Sequence, residues 1–163
     1  MRAIPRGRFA SPSGAKFLFQ IRNYQELVVL LCDEDPSQPS MLLVEDNAVN
    51  QHVALLMLKR LGYHADMAAN GLEALQALEQ RRYDILLMDI HMPKMDGLEA
   101  TKAIRARWPP AEQPYIIAIT AYALLYSVEM CIRAGMDDYL CKPFSLDELR
   151  IAIDGYGGHP QRD

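Results

Sequence analysis

The chain has 163 residues, half of them hydrophobic, with a net charge of −4 and a pI near 5.6. That length accommodates one compact domain plus an appendage, and the apolar half suffices for a buried core. The acidic balance excludes a whole-molecule field that favours nucleic acid phosphates, so no direct DNA binding is expected. The longest nearly apolar stretch, Tyr115 to Tyr126, is 12 residues, well short of the ~20 a membrane span needs.

Residues 1–25 hold five basic side chains (Arg2, Arg6, Arg8, Lys16, Arg22) and no acidic one, so the remainder of the chain stands by difference at −9. This opening lacks the apolar centre of a secretory signal, has a faint likeness to an organellar transit peptide, and reads as a partly flexible arm. Residues 26–40 follow. Glu26 to Leu31 is apolar enough for a strand or short helix, Asp33-Glu34-Asp35 reads as a solvated acidic run, and Pro36 and Pro39 break the chain. The segment echoes Leu42 to Asn47, but no second set of downstream motifs follows, so it reads as an appended element and not a repeat. The expected division is an N-terminal extension at 1–39, a domain at 40–155 and a tail at 156–163.

From Met41 onward, apolar runs of strand length alternate with segments of helical period, the pattern of an α/β fold with a parallel sheet. Met41-Leu42-Leu43-Val44 is the first strand. A helix from about Ala48 to Leu61 follows, with Val49, Val53, Leu56 and Met57 expected on its apolar face and Gly62 as its stop. His64 to Met67 gives a second strand. Asn70-Gly71 turns into a helix through Leu72, Leu75 and Leu78, and Asp84 to Met88 is a continuous apolar strand suited to the sheet centre. Gly97 to Arg107 is the third helix, ended by Pro109-Pro110. Tyr115 to Ile119 is the fourth strand. A fourth helix is expected from Leu124 to Ala134, stopped by Gly135. Tyr139 to Cys141 forms the last strand, and Ser145 opens a final helix as the capping-box partner of Glu148, fading by Gly155. Right-handed crossovers then give a doubly wound, five-stranded sheet.

Each of Glu45-Asp46, Asp89, Thr120 and Lys142 directly follows an apolar strand run. All therefore fall at one edge of the sheet, outside the carboxyl ends of the strands, where open α/β sheets bind ligands. Three carboxylates in one pocket repel, by on the order of 4 kcal/mol for a pair at 4 Å in a surface-like dielectric. A cation must relieve this, and hard oxygen ligands at a partly open site suit Mg²⁺. Lys142 can offset more of the charge, and Thr120 offers a hydroxyl donor.

Four segments carry a resemblance: Leu43-Val44-Glu45-Asp46-Asn47, the run Leu87 to Gly97 through Asp89, Ile119-Thr120-Ala121, and the run Ala134 to Phe144 through Lys142-Pro143. In this joint order and spacing, over about Met41 to Asp154, the chain resembles the response-regulator receiver domains of two-component signalling. The run Val44 to Gln51 resembles the receivers of hybrid histidine kinases especially. The resemblance implies the flavodoxin-like receiver fold with strand order 2-1-3-4-5. It implies that Asp89 takes a phosphoryl group from a phosphohistidine, and that the domain is no enzyme in the ordinary sense, although it phosphorylates itself from small donors and slowly loses the group. It implies that Glu45, Asp46, Asp89 and the backbone carbonyl of His91 hold Mg²⁺ or Mn²⁺. Thr120 and Lys142 would contact the phosphoryl group, Tyr139 would turn as part of the switch, and the Lys142-Pro143 bond would be cis. The implied partners are a sensor histidine kinase or a histidine phosphotransfer protein. A downstream protein or a second copy would bind the face of the fourth helix, fifth strand and fifth helix. His91 and Tyr122, bulky at positions bordering the path of hydrolytic water, are expected to slow dephosphorylation.

Three cysteines (Cys32, Cys131, Cys141) without a CxxC pair fit a reducing, cytoplasmic setting. The four histidines show no metal-ligand spacing, and Asp137-Asp138 reads as loop chemistry. After the last helix only Gly155 to Asp163 remain, so output is expected by contact. An Asp-nucleophile phosphatase is the rival enzyme reading, but it wants a second carboxylate where His91 stands. A flavin module lacks its Ser/Thr-rich loop here, and a receiver-shaped module that is never phosphorylated would not need the complete acidic, hydroxyl and lysine set.

Overall fold

The apolar runs do form a parallel sheet. The structure, a computed structural model, describes residues 38–121 and 125–157, apart from the side chains of 125–127. The basic arm, the element read at 26–31, Tyr122 and the last six residues lie outside the described residues. Strands β1 (Met41–Val44), β2 (Ala65–Ala68), β3 (Ile85–Asp89), β4 (Tyr115–Thr120) and β5 (Asp138–Cys141) pair in the order β2-β1-β3-β4-β5, all parallel. Between and after them run α1 (Ala48–Arg60), α2 (Gly71–Gln80), α3 (Gly97–Arg107), α4 (Leu125–Ala134) and α5 (Leu146–Gly157), with a 3₁₀ turn at Pro110–Glu112. This is the flavodoxin-like arrangement expected.

Alternation along the strands divides the core into two layers, because successive side chains of a strand point to opposite faces. Leu42, Val44, Leu86, Met88, Ile116 and Ala118 meet Ala74 and Leu78 of α2, Ala100 and Ile104 of α3, and Cys131 of α4. Met41, Leu43, Ile85, Leu87, Ile117 and Ile119 meet Ala54 and Leu58 of α1 and Leu149, Ala152 and Ile153 of α5. With both faces covered, β1, β3 and β4 have to be apolar throughout, which is why they read as unbroken runs. The helices begin on side-chain caps: Asn47, Asn70 and Asp96 accept from backbone N–H groups of the first turn of α1, α2 and α3. Ser145 and Glu148 form the expected reciprocal capping box before α5.

Three sequence expectations change. The buried stripe of α1 is Ala54 and Leu58, flanked by Leu55, Met57 and Leu61, whereas Val49, Val53 and Leu56 are exposed. Apolar residues surround this helix on nearly all sides, so periodicity could not choose the face. The Asn47 cap and the exit of β1 choose it. The last helix continues past Gly155 to Gly157 because Tyr156 packs on the α1/α5 layer and its hydroxyl donates to Asp84 Oδ1 at 3.3 Å. Asp137 is more than loop chemistry: its carboxylate accepts from Ile116 N and from Arg105 Nη2, both at 2.7 Å, while Arg105 Nε donates to Gly135 O at 2.8 Å. Arg105 thereby ties the end of α3 to the turn between α4 and β5.

Two glycines answer to different constraints. At Gly97 a Cβ would run into the Asp89 carbonyl oxygen, because the loop after β3 folds back and the Gly97 N–H donates to Ile90 O at 2.9 Å. At Gly62, φ is +88° but a Cβ would meet nothing within 4 Å. Gly97→Ala therefore forces backbone apart and is expected to cost about 3 kcal/mol, while Gly62→Ala bears only the left-handed strain of about 1 kcal/mol. Urea unfolding of both variants checks this, and equal losses would contradict it.

Candidate functional site

The parallel register sets the strand ends side by side. Val44 pairs with Met88, Asp89 with Ile119, and Thr120 with Cys141, so Glu45, Asp89, Thr120 and Lys142 emerge along one edge. Glu45, Asp89 and Thr120 are buried there, at 2 %, 6 % and 1 % exposure. Lys142 Nζ joins two of these carboxylates, lying 2.6 Å from Glu45 Oε2 and 2.5 Å from Asp89 Oδ2. Asp46, exposed, completes a cluster in which one carboxylate oxygen each from Glu45, Asp46 and Asp89 lies within 4.8 Å of the others.

The remaining expected residues fall as follows. The backbone N–H of His91 donates to Asp89 Oδ1 at 3.0 Å, and its side chain is exposed. Lys142 N donates to Thr120 O at 2.7 Å, joining the ends of β4 and β5, and the Lys142–Pro143 peptide is cis. Tyr139 is exposed on β5, apart from the buried cluster.

Sequence reasoning missed the supports of Glu45. Its Oε1 accepts from Asn47 N at 3.2 Å and from Asn50 Nδ2 at 3.0 Å, and its backbone carbonyl accepts from Gln51 Nε2 at 2.6 Å. The available signal was position: Asn50 and Gln51 stand in the first turn of a helix that starts three residues after Glu45.

These contacts divide the charge between the two buried acids. Burial pushes the Glu45 carboxyl upward, but donors from Lys142 and Asn50 outweigh it and hold it below its ordinary value. Burial likewise pushes Asp89 upward; Lys142 and the His91 N–H pull back, Glu45 opposes them, and the carboxyl ends above its ordinary value. Both acids share one ammonium, and the further donor from Asn50 goes to Glu45, so the two carboxyls shift in opposite directions. Burial would depress Lys142, yet its two carboxylate partners raise it, so it stays charged.

The donor set fits a small hard cation. Three carboxylates supply only oxygen, one of them is solvent-facing, and the crowding of negative charge is what a divalent ion relieves. A separate groove of about 490 Å³, lined by Arg82, Arg107, Trp108 and Glu112 among others, lies at the far ends of α2 and α3. Its guanidinium groups are engaged, Arg82 with Glu112 and Arg107 with Glu79, each at 2.6 Å.

Comparison with known proteins agrees with the geometry. Residues 41–154 match the family model described as response regulator receiver domain. A probable histidine kinase of Oryza sativa subsp. indica is 38 % identical over 155 residues, covering 77 % of this chain and 16 % of the relative. The two-component system protein A of Emericella nidulans is 46 % identical over 112 residues, covering 67 % of this chain and 16 % of its own length. The chain thus spans about a sixth of these relatives. Among solved structures, the receiver domain of a sensor histidine kinase from Pseudomonas aeruginosa PAO1, with a magnesium ion coordinated in its active site cleft, superposes with a TM-score of 0.67 at 45 % identity, covering 75 % of this chain and 99 % of that one. A Saccharomyces cerevisiae receiver domain, crystallised with its histidine phosphotransfer signaling protein, gives 0.66 at 28 % identity over 74 % of this chain and 90 % of that one.

An acid whose pKa is raised by folding binds its proton more tightly in the folded state, so stability falls as pH rises through the folded value. In metal-free buffer, Asp89→Asn is therefore expected to be more stable than the parent at pH 7, by on the order of 1 kcal/mol, with the advantage shrinking toward pH 4. Thermal unfolding in EDTA across that range measures it; a parent as stable as the variant at pH 7 would contradict it.

Proposed function

The chain belongs to the response-regulator receiver family, and we propose that it acts as the phosphoacceptor of a phosphorelay, taking the phosphoryl group of a partner's phosphohistidine onto Asp89. The observation that carries this reading is the Lys142 ammonium shared between Asp89 and Glu45 beside Asp46. An Asp89 carboxylate oxygen bonds to phosphorus as the P–N bond to imidazole breaks; the electron pair stays on that nitrogen, and the imidazole leaves neutral because its other ring nitrogen already carries a proton. Glu45, Asp46, Asp89 and the His91 carbonyl would hold Mg²⁺ or Mn²⁺, which neutralises phosphoryl charge when bound. Lys142 exchanges its bond to Asp89 for one to the phosphoryl oxygens, and Thr120 donates its hydroxyl to them. Tyr139 then turns inward from its exposed position. This biases a two-state face, and phosphorylation shifts it only by its differential interaction with the two states.

Two surfaces suit partners. Val49, Val53 and Leu56 run exposed along α1, directly from the carboxylate cluster, and this stripe is the reading for where a histidine phosphotransfer protein or kinase domain docks. Ile132 of α4, Tyr139 of β5 and Ile151 of α5 are exposed too, and fit a downstream protein or a second copy of the chain. We take the receiver to start at residue 40, after an extension at 1–39, and to run to the end of α5 at Gly157, two residues beyond the expected boundary at 155, in a cytoplasmic setting. Among the described residues, no helix is long and apolar enough to cross a membrane.

Incubation with Mg²⁺ and acetyl phosphate should add one phosphoryl group by intact mass to the parent and none to Asp89→Asn. The adduct should decay on standing, several-fold faster when His91→Asn and Tyr122→Ala are combined. A phosphorylated Asp89→Asn protein would overturn the assignment of Asp89, and unchanged decay that of the two bulky residues.

The α1 stripe separates protein donors from small ones. Val53→Asp should lower the rate of transfer from a phosphorylated histidine phosphotransfer protein by about tenfold or more, the cost of one charge in an apolar contact, while labelling by acetyl phosphate is retained. Equal loss with both donors would count against this docking face.

A further inference from the structure

The sequence Asn47-Ala48-Val49-Asn50-Gln51 surrounds Glu45 with donors that phosphoryl transfer itself does not use. The two oxygens of Glu45 are treated differently. Oε1 takes the Asn47 N–H at 3.2 Å and the Asn50 carboxamide at 3.0 Å, whereas Oε2 takes the Lys142 ammonium. The carboxamide comes from an asparagine whose backbone is already fixed, because its own N–H donates to the Asn47 cap at 3.2 Å. Gln51 Nε2 holds the Glu45 carbonyl at 2.6 Å. Backbone and carboxylate of the same residue are thus both clamped to the first turn of α1.

A glutamate needs this more than an aspartate would. Its extra methylene adds a rotatable bond, and an unheld carboxylate loses that freedom on binding a cation. Held through Oε1, it meets the ion already oriented. We propose that Asn50 is a positioning residue of the cation site, fixing the orientation of the Glu45 carboxylate, and that it thereby sets Mg²⁺ affinity. This rests on the reading of the cluster as a Mg²⁺ site. Removing a hydrogen-bonding partner of a metal ligand typically costs about 10–100-fold in metal affinity, and Asn50→Ala belongs in that range. Asn50 is exposed in a first helical turn, where alanine is a good helix former, so the fold is retained.

The test is calorimetric titration of the full chain with MgCl₂, for the parent, Asn50→Ala, Glu45→Ala and the double variant. The expected result is a Kd raised at least about tenfold by Asn50→Ala, the same rise in the Mg²⁺ concentration for half-maximal labelling by acetyl phosphate, and no further effect of Asn50→Ala once Glu45 is alanine. A Kd within about twofold of the parent, or an equal loss in the Glu45→Ala background, overturns the proposal. A parent that binds no Mg²⁺ overturns the cation site itself and this inference with it, whereas a binding parent matched by Asn50→Ala sinks this inference alone.

Discussion

The molecule is organised around a charge problem: two buried carboxylates and a third exposed one gathered at the ends of adjacent strands, with one ammonium between them. Nothing in the stability of the sheet calls for this. Layers of Val, Leu and Ile on both faces would hold the same five strands without it, and a buried ion pair is weak evidence for stability. The crowding is what a bound divalent cation would relieve, and it accords with the proposed function of the cluster. Lys142 supplies positive charge there, its ammonium bonding to both Asp89 and Glu45.

The inequality of the two buried acids follows from what surrounds each. Glu45 sits against a helix start and collects donors from Asn47 and Asn50 as well as Lys142, so it remains ionised and suited to holding a cation. Asp89 accepts from Lys142 and from the His91 N–H, and a side chain at Gly97 would run into its carbonyl oxygen. Of the two buried acids it is the one whose carboxyl is raised above its ordinary value, by burial first.

Most of this architecture was legible in the sequence because a parallel sheet covered on both faces imposes unbroken apolar strands, and the residue after each strand is then fixed in place. Glu45, Asp89, Thr120 and Lys142 could be put at one edge from that rule alone. Periodicity failed on α1, where apolar side chains on several sides left the buried face undetermined until the Asn47 cap fixed the helix entry. It failed also for Asp137, whose partner Arg105 lies 32 residues away, and for Asn50, whose role depends on where a side chain across a turn points. Local pattern carries strand and helix but not long-range polar pairing.

At the edge of the sheet away from the carboxylates, Ser40 and Tyr156 both bond to Asp84, the serine through its N–H at 2.7 Å and its hydroxyl at 2.8 Å. One aspartate thus fastens the polypeptide just as it enters the first strand and again as it leaves the last helix. Both crossing points are held on the side remote from Asp89. Chain entry and exit are thereby fastened together at one end of the sheet, and the carboxylate cluster at the other end stays clear of both.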